Sequence, residues 1–283
     1  MQRATVKVPV PARPVTRPNS IIFTLYGDFV HRYGDTLWIG SLVRLMAEFG
    51  LSEAAVRQAV SRMTRQGWLR AVKQGNRASY ALTERGIGRV EAIAPRIYEP
   101  AAEWDGRWRL LSYAIPEKNR ERRDRLRKDL VLLGLAPLSP STWISPRDIA
   151  EAIRETAHAH QVAEHIHFFL ADYAGPLSDS ELLRRSWDLT SLAASYREFI
   201  DYYSPRLENE RATGALLPSP AFVERVWLVQ DFRRFLYLDP GLPGALLPAH
   251  WPGSVASALF REYYRLISSK ATNFFESILP DGH

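Results

Sequence analysis

The chain has 283 residues, 46% of them hydrophobic, with 37 Lys and Arg against 31 Asp and Glu and no cysteine. That length points to two or three domains, the apolar content excludes wholesale disorder, and the missing cysteines exclude disulfides and thiolate chemistry. The charge is uneven: residues 1–95 hold 14 basic against 6 acidic side chains and residues 96–283 hold 23 against 25, so the positive excess lies on the first third, as attraction to phosphate requires.

Residues 1–19 read as a disordered Pro-rich tail, interrupted by Pro9, Pro11, Pro14 and Pro18. Arg3, Lys7, Arg13 and Arg17 suit a solvated tail better than a minor-groove arm. No apolar leader and no run of about 18 apolar residues is present, so a cytoplasmic protein with no membrane span is expected.

Asn19 and Ser20 can cap a first helix with Ile22, Leu25 and Phe29 in a stripe. Leu37-Trp38-Ile39 is strand-like. Ser41 can cap a second helix with Leu42, Leu45, Met46 and Phe49 at i, i+3, i+4 and i+7, and Phe49-Gly50-Leu51 turns tightly into a third. There Ser52 is the N-cap and Val56, Ala59, Val60 and Met63 share a buried face. Arg57, Gln58, Ser61, Arg62 and Arg65 lie opposite, where some can reach base edges and others phosphates. Gly67 ends this helix. A hairpin follows: a strand from Trp68-Leu69, a turn at Gln74-Gly75-Asn76, and a return strand with Ala78, Tyr80 and Leu82 inward. Arg70, Lys73 and Arg77 project from it. Helix, strand, helix, turn, helix and hairpin is the order of a winged helix-turn-helix, expected over residues 20–95. A helical protein-binding domain with a solvated basic face is the alternative.

Thr83 can cap a helix over Glu84–Ile93, and Pro95 and Pro100 mark a linker. Trp108–Ile115 is a strand and Asn119–Leu133 a charged helix with Leu126, Leu130 and Leu133 inward. Leu135–Leu138 and Ser141–Ile144 are short strands, Pro146-Arg147-Asp148 opens a helix to His160, and Glu164–Ala171 is a strand. This βαββαβ order suggests a ferredoxin-like α+β domain over residues 104–175. After Gly175-Pro176, residues 178–283 read as a helical domain, with helices near Ser178–Ser186, Leu189–Tyr203, Ser219–Tyr237 and Ser254–Leu279. The apolar residues of the Asp239–Gly253 loop argue that it packs. The fold class is α+β.

The runs Ile22-Phe23-Thr24-Leu25-Tyr26-Gly27-Asp28, Trp38-Ile39-Gly40-Ser41-Leu42, Ala55–Met63 and Gly67-Trp68-Leu69 resemble the PaaX family. So do Asp239-Pro240, Leu242-Pro243, Leu246-Leu247-Pro248 and Trp251-Pro252-Gly253. The resemblance spans about residues 20–280. It implies a GntR-like winged-helix repressor of aromatic-acid catabolism, a homodimer on double-stranded operator DNA, released by phenylacetyl-CoA. The middle domain is also similar to the Cas2 family of ferredoxin-like nucleases, whose first strand ends in a Tyr-Asp-Ile-like motif with a metal-binding Asp. Here the run is Tyr113-Ala114-Ile115, and alanine cannot ligate a metal, so the likeness implies fold without nuclease chemistry.

Four histidines cluster in sequence: His158, His160, His165 and His167. The last pair, two apart on the expected strand, would face one way and suit a metal, which leaves a metal-dependent hydrolase or nuclease as an alternative. A surface or pH-sensing role is the plainer reading, and no metal or cofactor is assigned. For an aryl-CoA effector the candidate cations are Arg120, Arg122, Arg123 and Arg127, whose helix otherwise reads as solvated, with Arg197, Arg233 and Arg234. Trp227 and Trp251 are candidate aromatic contacts. No Gly-rich phosphate loop, zinc-protease helix or Gly-x-Ser-x-Gly elbow is present, so no enzyme is expected; a protein-interaction scaffold is the remaining alternative.

Overall fold

The structure is a computed structural model and describes residues 17–74, 77–98 and 103–279. The tail before residue 17, with Arg3, Lys7 and Arg13, and the turn at Gly75-Asn76 lie outside the described residues, as does the side chain of Arg77. The chain is mixed α+β, and its contacts gather into two units, each assembled from separate stretches.

The first unit comprises residues 1–99, 199–234 and 257–283. It opens with α1 (Pro18–Asp28), β1 (Thr36–Trp38), α2 (Ile39–Ala47), α3 (Glu53–Arg65), β2 (Leu69–Gln74), β3 (Arg77–Leu82) and α4 (Glu84–Tyr98). The three strands form an antiparallel sheet in the order β1-β3-β2. The expected stripes are buried: Ile22 and Leu25 in α1, Leu42, Leu45 and Met46 in α2, and Val56, Ala59, Val60 and Met63 in α3. Phe49 is half-buried, ring-packed against Phe222 and Trp227.

Several local expectations are corrected. Pro18 takes the first turn of α1, where its fixed φ suits the helix and its missing N–H is not needed, so Asn19 and Ser20 lie inside the helix rather than capping it. Ser41 is also inside its helix, buried, donating to the Ile278 carbonyl at 2.9 Å. In β3, Ala78 is exposed and Tyr80 half-buried, whereas Ser79 and Ala81 are buried beside Leu82. This strand is the middle one, so both neighbours help to cover small side chains whichever way they point, and cover runs out toward the hairpin tip. Helix α4 continues through Pro95 to Tyr98. An internal proline costs about 3 kcal/mol, and tertiary anchoring offsets it: Ile97 is buried and the Tyr98 hydroxyl donates to Asp28 at 2.9 Å.

The second unit, residues 100–198 and 235–256, contains β4 (Trp108–Tyr113), α5 (Arg120–Leu132), β5 (Ala136–Ser139), β6 (Thr142–Ser145), α6 (Ala150–Ala159) and β7 (Ile166–Ala171). The antiparallel sheet runs β5-β6-β4-β7, the strand order of the ferredoxin-like βαββαβ unit. Leu126 and Leu130 of α5 and Ile153 of α6 close over Leu111, Tyr113 and Trp143 of the sheet. Helix α6 starts at Ala150, later than Pro146, and His165 stands in a single 3-10 turn before β7, not on the strand.

Helix α7 (Asp179–Ser186) begins with a capping box between Ser178 and Glu181. Helix α8 (Leu189–Thr213) runs ten residues past the expected end and through Pro205; its added turns bury Leu207 and Glu210, whose carboxylate takes a Lys270 ammonium at 2.6 Å. The expected helix over Ser219–Tyr237 is two, α9 (Pro218–Phe232) and α10 (Phe235–Leu238), and α11 (Pro252–Ile278) closes the chain. The loop before α11 packs: Leu242, Leu246 and Trp251 are buried, and Asp239 accepts the Tyr196 hydroxyl at 2.6 Å and the Gly241 N–H at 2.6 Å. No helix among the described residues is long and apolar enough to cross a membrane.

Candidate nucleic-acid interface

Helix α3 is fixed at both ends. The Ser52 hydroxyl accepts the Ala55 N–H at 3.3 Å, which satisfies one orphan donor of the first turn. At the other end Gly67, at φ 72°, donates to the Thr64 carbonyl at 3.0 Å and Trp68 to the Met63 carbonyl at 2.9 Å. That is a Schellman motif, and it needs a residue tolerant of the left-handed region at position 67. Arg85 spans the corner, with its guanidinium 4.1 Å from the Trp68 ring centroid and a bond to the Gln66 carbonyl at 3.1 Å. The hairpin therefore leaves α3 in a defined direction.

Between these ends Arg57, Gln58, Ser61 and Arg65 are exposed over the buried apolar face. Arg57 pairs with Glu53 at 2.7 Å, a surface pair worth about 0–1 kcal/mol that a phosphate or base can displace. Arg62 differs. It is half-buried, bonds the Asn19 side chain of α1 at 3.4 Å, and its Nε is buried without a partner. Arg62 thus sits at the α1–α3 contact as well as on the expected reading face. Lys73 and Arg70 are exposed on β2, and their odd spacing puts them on opposite faces of the strand. Arg44, exposed on α2, is a further cation that apolar periodicity gives no reason to select.

The residues considered for an effector are dispersed. In the second unit, Arg120 and Arg123 are engaged with Glu117, Arg122 bonds the Gln161 carbonyl at 3.2 Å, and Arg127 lies 6.0 Å from the Trp143 ring centroid. Glu117 is held below the usual carboxylate range by Arg123. Arg197 of α8 is exposed, and Trp251 is buried against Tyr196. In the first unit, Trp227 packs on Phe49, Arg234 is exposed, and Arg233 donates to the Thr24 hydroxyl at 2.7 Å. The histidines do not converge: His160 pairs with Asp129 at 2.6 Å, His165 with Glu164 at 3.4 Å, and His158 and His167 are exposed. Among the described residues no three His, Asp or Glu side chains could share a metal.

Sequence reading gave no sign of the buried centre of the first unit. Asp28, at the end of α1, accepts Arg225 Nε at 2.8 Å and Nη2 at 3.1 Å, the Tyr98 hydroxyl at 2.9 Å and the Tyr264 hydroxyl at 2.6 Å. Four elements, α1, α4, α9 and α11, meet on one carboxylate. Burial beside it pushes the Tyr98 and Tyr264 hydroxyls above their ordinary range. No local pattern announces a pair 197 residues apart in the chain.

An α+β chain with a ferredoxin-like middle and a basic helical head carrying a two-stranded hairpin has the build of a regulator. It belongs to the PaaX family. Family profiles match in order: the PaaX-like protein over residues 17–86, the PaaX protein central Cas2-like domain over 101–183, and the PaaX-like protein C-terminal domain over 187–277. The chain is 32% identical over 281 residues to the transcriptional repressor PaaX of Escherichia coli (strain K12), covering 97% of this chain and 86% of that protein. A solved structure of an uncharacterized protein from Mycobacterium tuberculosis matches with a TM-score of 0.61 at 22% identity, over 92% of this chain and 98% of the other. At that identity the likeness concerns the fold.

Proposed function

We propose that this protein is a DNA-binding transcriptional repressor of an aromatic-acid, phenylacetate-type catabolic operon, released from its operator by an aryl-CoA thioester. The observation that carries the reading is the exposed face of α3, where Arg57, Gln58, Ser61 and Arg65 stand over a buried apolar stripe. In the winged helix-turn-helix arrangement that face enters the major groove while the β2–β3 hairpin, with Lys73 and Arg77, follows the phosphates. Similarity to a transcriptional repressor along nearly the whole chain supports it. A homodimer presents two such heads to half-sites about one helical turn, or a multiple, apart. CoA phosphates need fixed cations, for which Arg120, Arg122, Arg123, Arg127, Arg197, Arg233 and Arg234 are the candidates.

Release works by population shift: the effector favours an arrangement whose head spacing mismatches the operator. A hundredfold loss of DNA affinity needs about 2.7 kcal/mol of coupling, and DNA weakens effector binding by the same factor. The test is a gel shift on the DNA upstream of the chain's own operon, with phenylacetyl-CoA, CoA and phenylacetate added separately. Saturable, competitor-resistant binding undone by the thioester alone is the expected result. Absence of any sequence-preferring shift refutes the repressor reading, and release by all three compounds, or by none, refutes the aryl-CoA effector.

A further inference from the structure

A narrow cleft within the first unit is bounded by α1, α4 and the end of α9, with Phe23 and Gly27 on α1, Val90 and Ile97 on α4, Val229 on α9 and Arg233 at its C-cap. It measures about 300 Å³ including its open mouth, and its enclosed part is water-sized, too tight for an aromatic ring as it stands. Close-packed interiors do hold water-sized voids, so the room here lies in the open mouth between the helices. Gly27 contributes to it. A Cβ at that position would meet the Val90 methyls at 3.5 Å, an ordinary contact, so a helix-favouring alanine would fit where the chain has glycine.

Among the described residues of the lining, one is a cation. The Arg233 guanidinium lines the cleft, donates to the Thr24 hydroxyl at 2.7 Å and lies 5.4 Å from the Phe23 ring centroid. Asp28, also in the lining, is matched by Arg225, so its charge does not oppose an anionic guest. Apolar walls with a guanidinium suit a compact apolar body ending in an oxygen acceptor. Helix α1 has a second neighbour: its Asn19 accepts from Arg62 of α3. Parting α1 from α4 therefore disturbs the seat of the proposed reading helix.

We infer that this cleft is an effector site which opens to admit a compact apolar group bearing a carbonyl or carboxylate oxygen, and that the displacement of α1 on opening carries the signal to α3. The inference rests on the reading of this chain as an effector-responsive DNA-binding protein. The closed cleft belongs to the DNA-binding state. A ligand that binds only the opened cleft shifts the population by its difference in affinity for the two states.

The chain has no cysteine, so Gly27→Cys with Val90→Cys introduces one thiol pair, within disulfide reach across the cleft. Calorimetry of the full chain, oxidised and reduced, uses phenylacetate and phenylacetyl-CoA as probes and CoA as control, with gel shifts in parallel. The oxidised form should bind the probe at least tenfold more weakly than the reduced form while keeping its DNA affinity. Ala94→Trp, which fills the cleft, should lose probe binding at least tenfold and decides the matter if the disulfide does not form. Binding of phenylacetate assigns a free carboxylate to the site; binding of the thioester without the acid assigns the acyl carbonyl. Equal probe affinity in the oxidised and reduced forms, unchanged affinity in Ala94→Trp, no binding of either probe to the wild type, or CoA binding as tightly as its thioester overturns the inference. Probe binding that is disulfide-sensitive in the double-cysteine variant, together with a wild type that binds the probe but ignores DNA, overturns the repressor reading instead and leaves the site standing.

Discussion

Replacing Asp28 with alanine tests the buried centre of the first unit. Asp28 and Arg225 are 2% and 1% exposed, and the carboxylate accepts from Arg225, Tyr98 and Tyr264. Removing it strands a buried guanidinium, and breaking such a pair from one side costs about 3–5 kcal/mol. Against a total stability of about 5–15 kcal/mol that is a large fraction, and at about 2–4 °C per kcal/mol it lowers Tm by roughly 10 °C. The double variant Asp28→Leu with Arg225→Met removes both charges, and apolar replacement of a buried pair is often close to neutral. Two tyrosine hydroxyls then lose an acceptor, at about 1–3 kcal/mol for each one left unsatisfied. The double variant should therefore be more stable than Asp28→Ala yet less stable than the wild type. Urea unfolding followed by circular dichroism, with both single variants completing the cycle, measures this. An Asp28→Ala midpoint within about 1 kcal/mol of wild type, or a double variant as unstable as the sum of the singles, refutes the account.

Arg57→Ala and Arg65→Ala should each weaken operator binding by about 1–3 kcal/mol where the contact is to a base, with thermal stability unchanged because both side chains are exposed; full operator affinity in both variants removes α3 from the interface. Lys73→Ala should weaken specific and nonspecific DNA alike and flatten the salt dependence by about one unit of slope, so a changed sequence preference at unchanged slope counts against a phosphate contact. Tyr98 and Tyr264 have hydroxyls raised by burial beside Asp28. A group raised in the folded state stabilises below its unfolded value, so the benefit is lost as pH climbs from about 10 toward the folded value. Alkaline titration of unfolding should show that loss in the wild type and less of it in Tyr98→Phe with Tyr264→Phe; identical alkaline limbs contradict the assignment.

The head was legible in the sequence because its determinants are local. The spacing of Val56, Ala59, Val60 and Met63 sets which face of α3 is buried, Ser52 and Gly67 set its ends, and the residues left over form the exposed basic face. The order of strands and helices from Trp108 to Ala171 follows from short-range pattern in the same way. Local pattern misjudged the places where distant contacts decide. Helix α4 crosses Pro95 because Ile97 and Tyr98 are held by other elements, and α8 crosses Pro205 because Leu207 and Glu210 are. The phase of burial in β3 depends on its being the middle strand, which pairing order and not alternation determines. Asp28 and Arg225 lie 197 residues apart, and the cleft joins residues of α1 and α4, early in the chain, to Val229 and Arg233 far along it. Such a meeting of side chains exists only once the chain has folded, so only the tertiary structure could place them together.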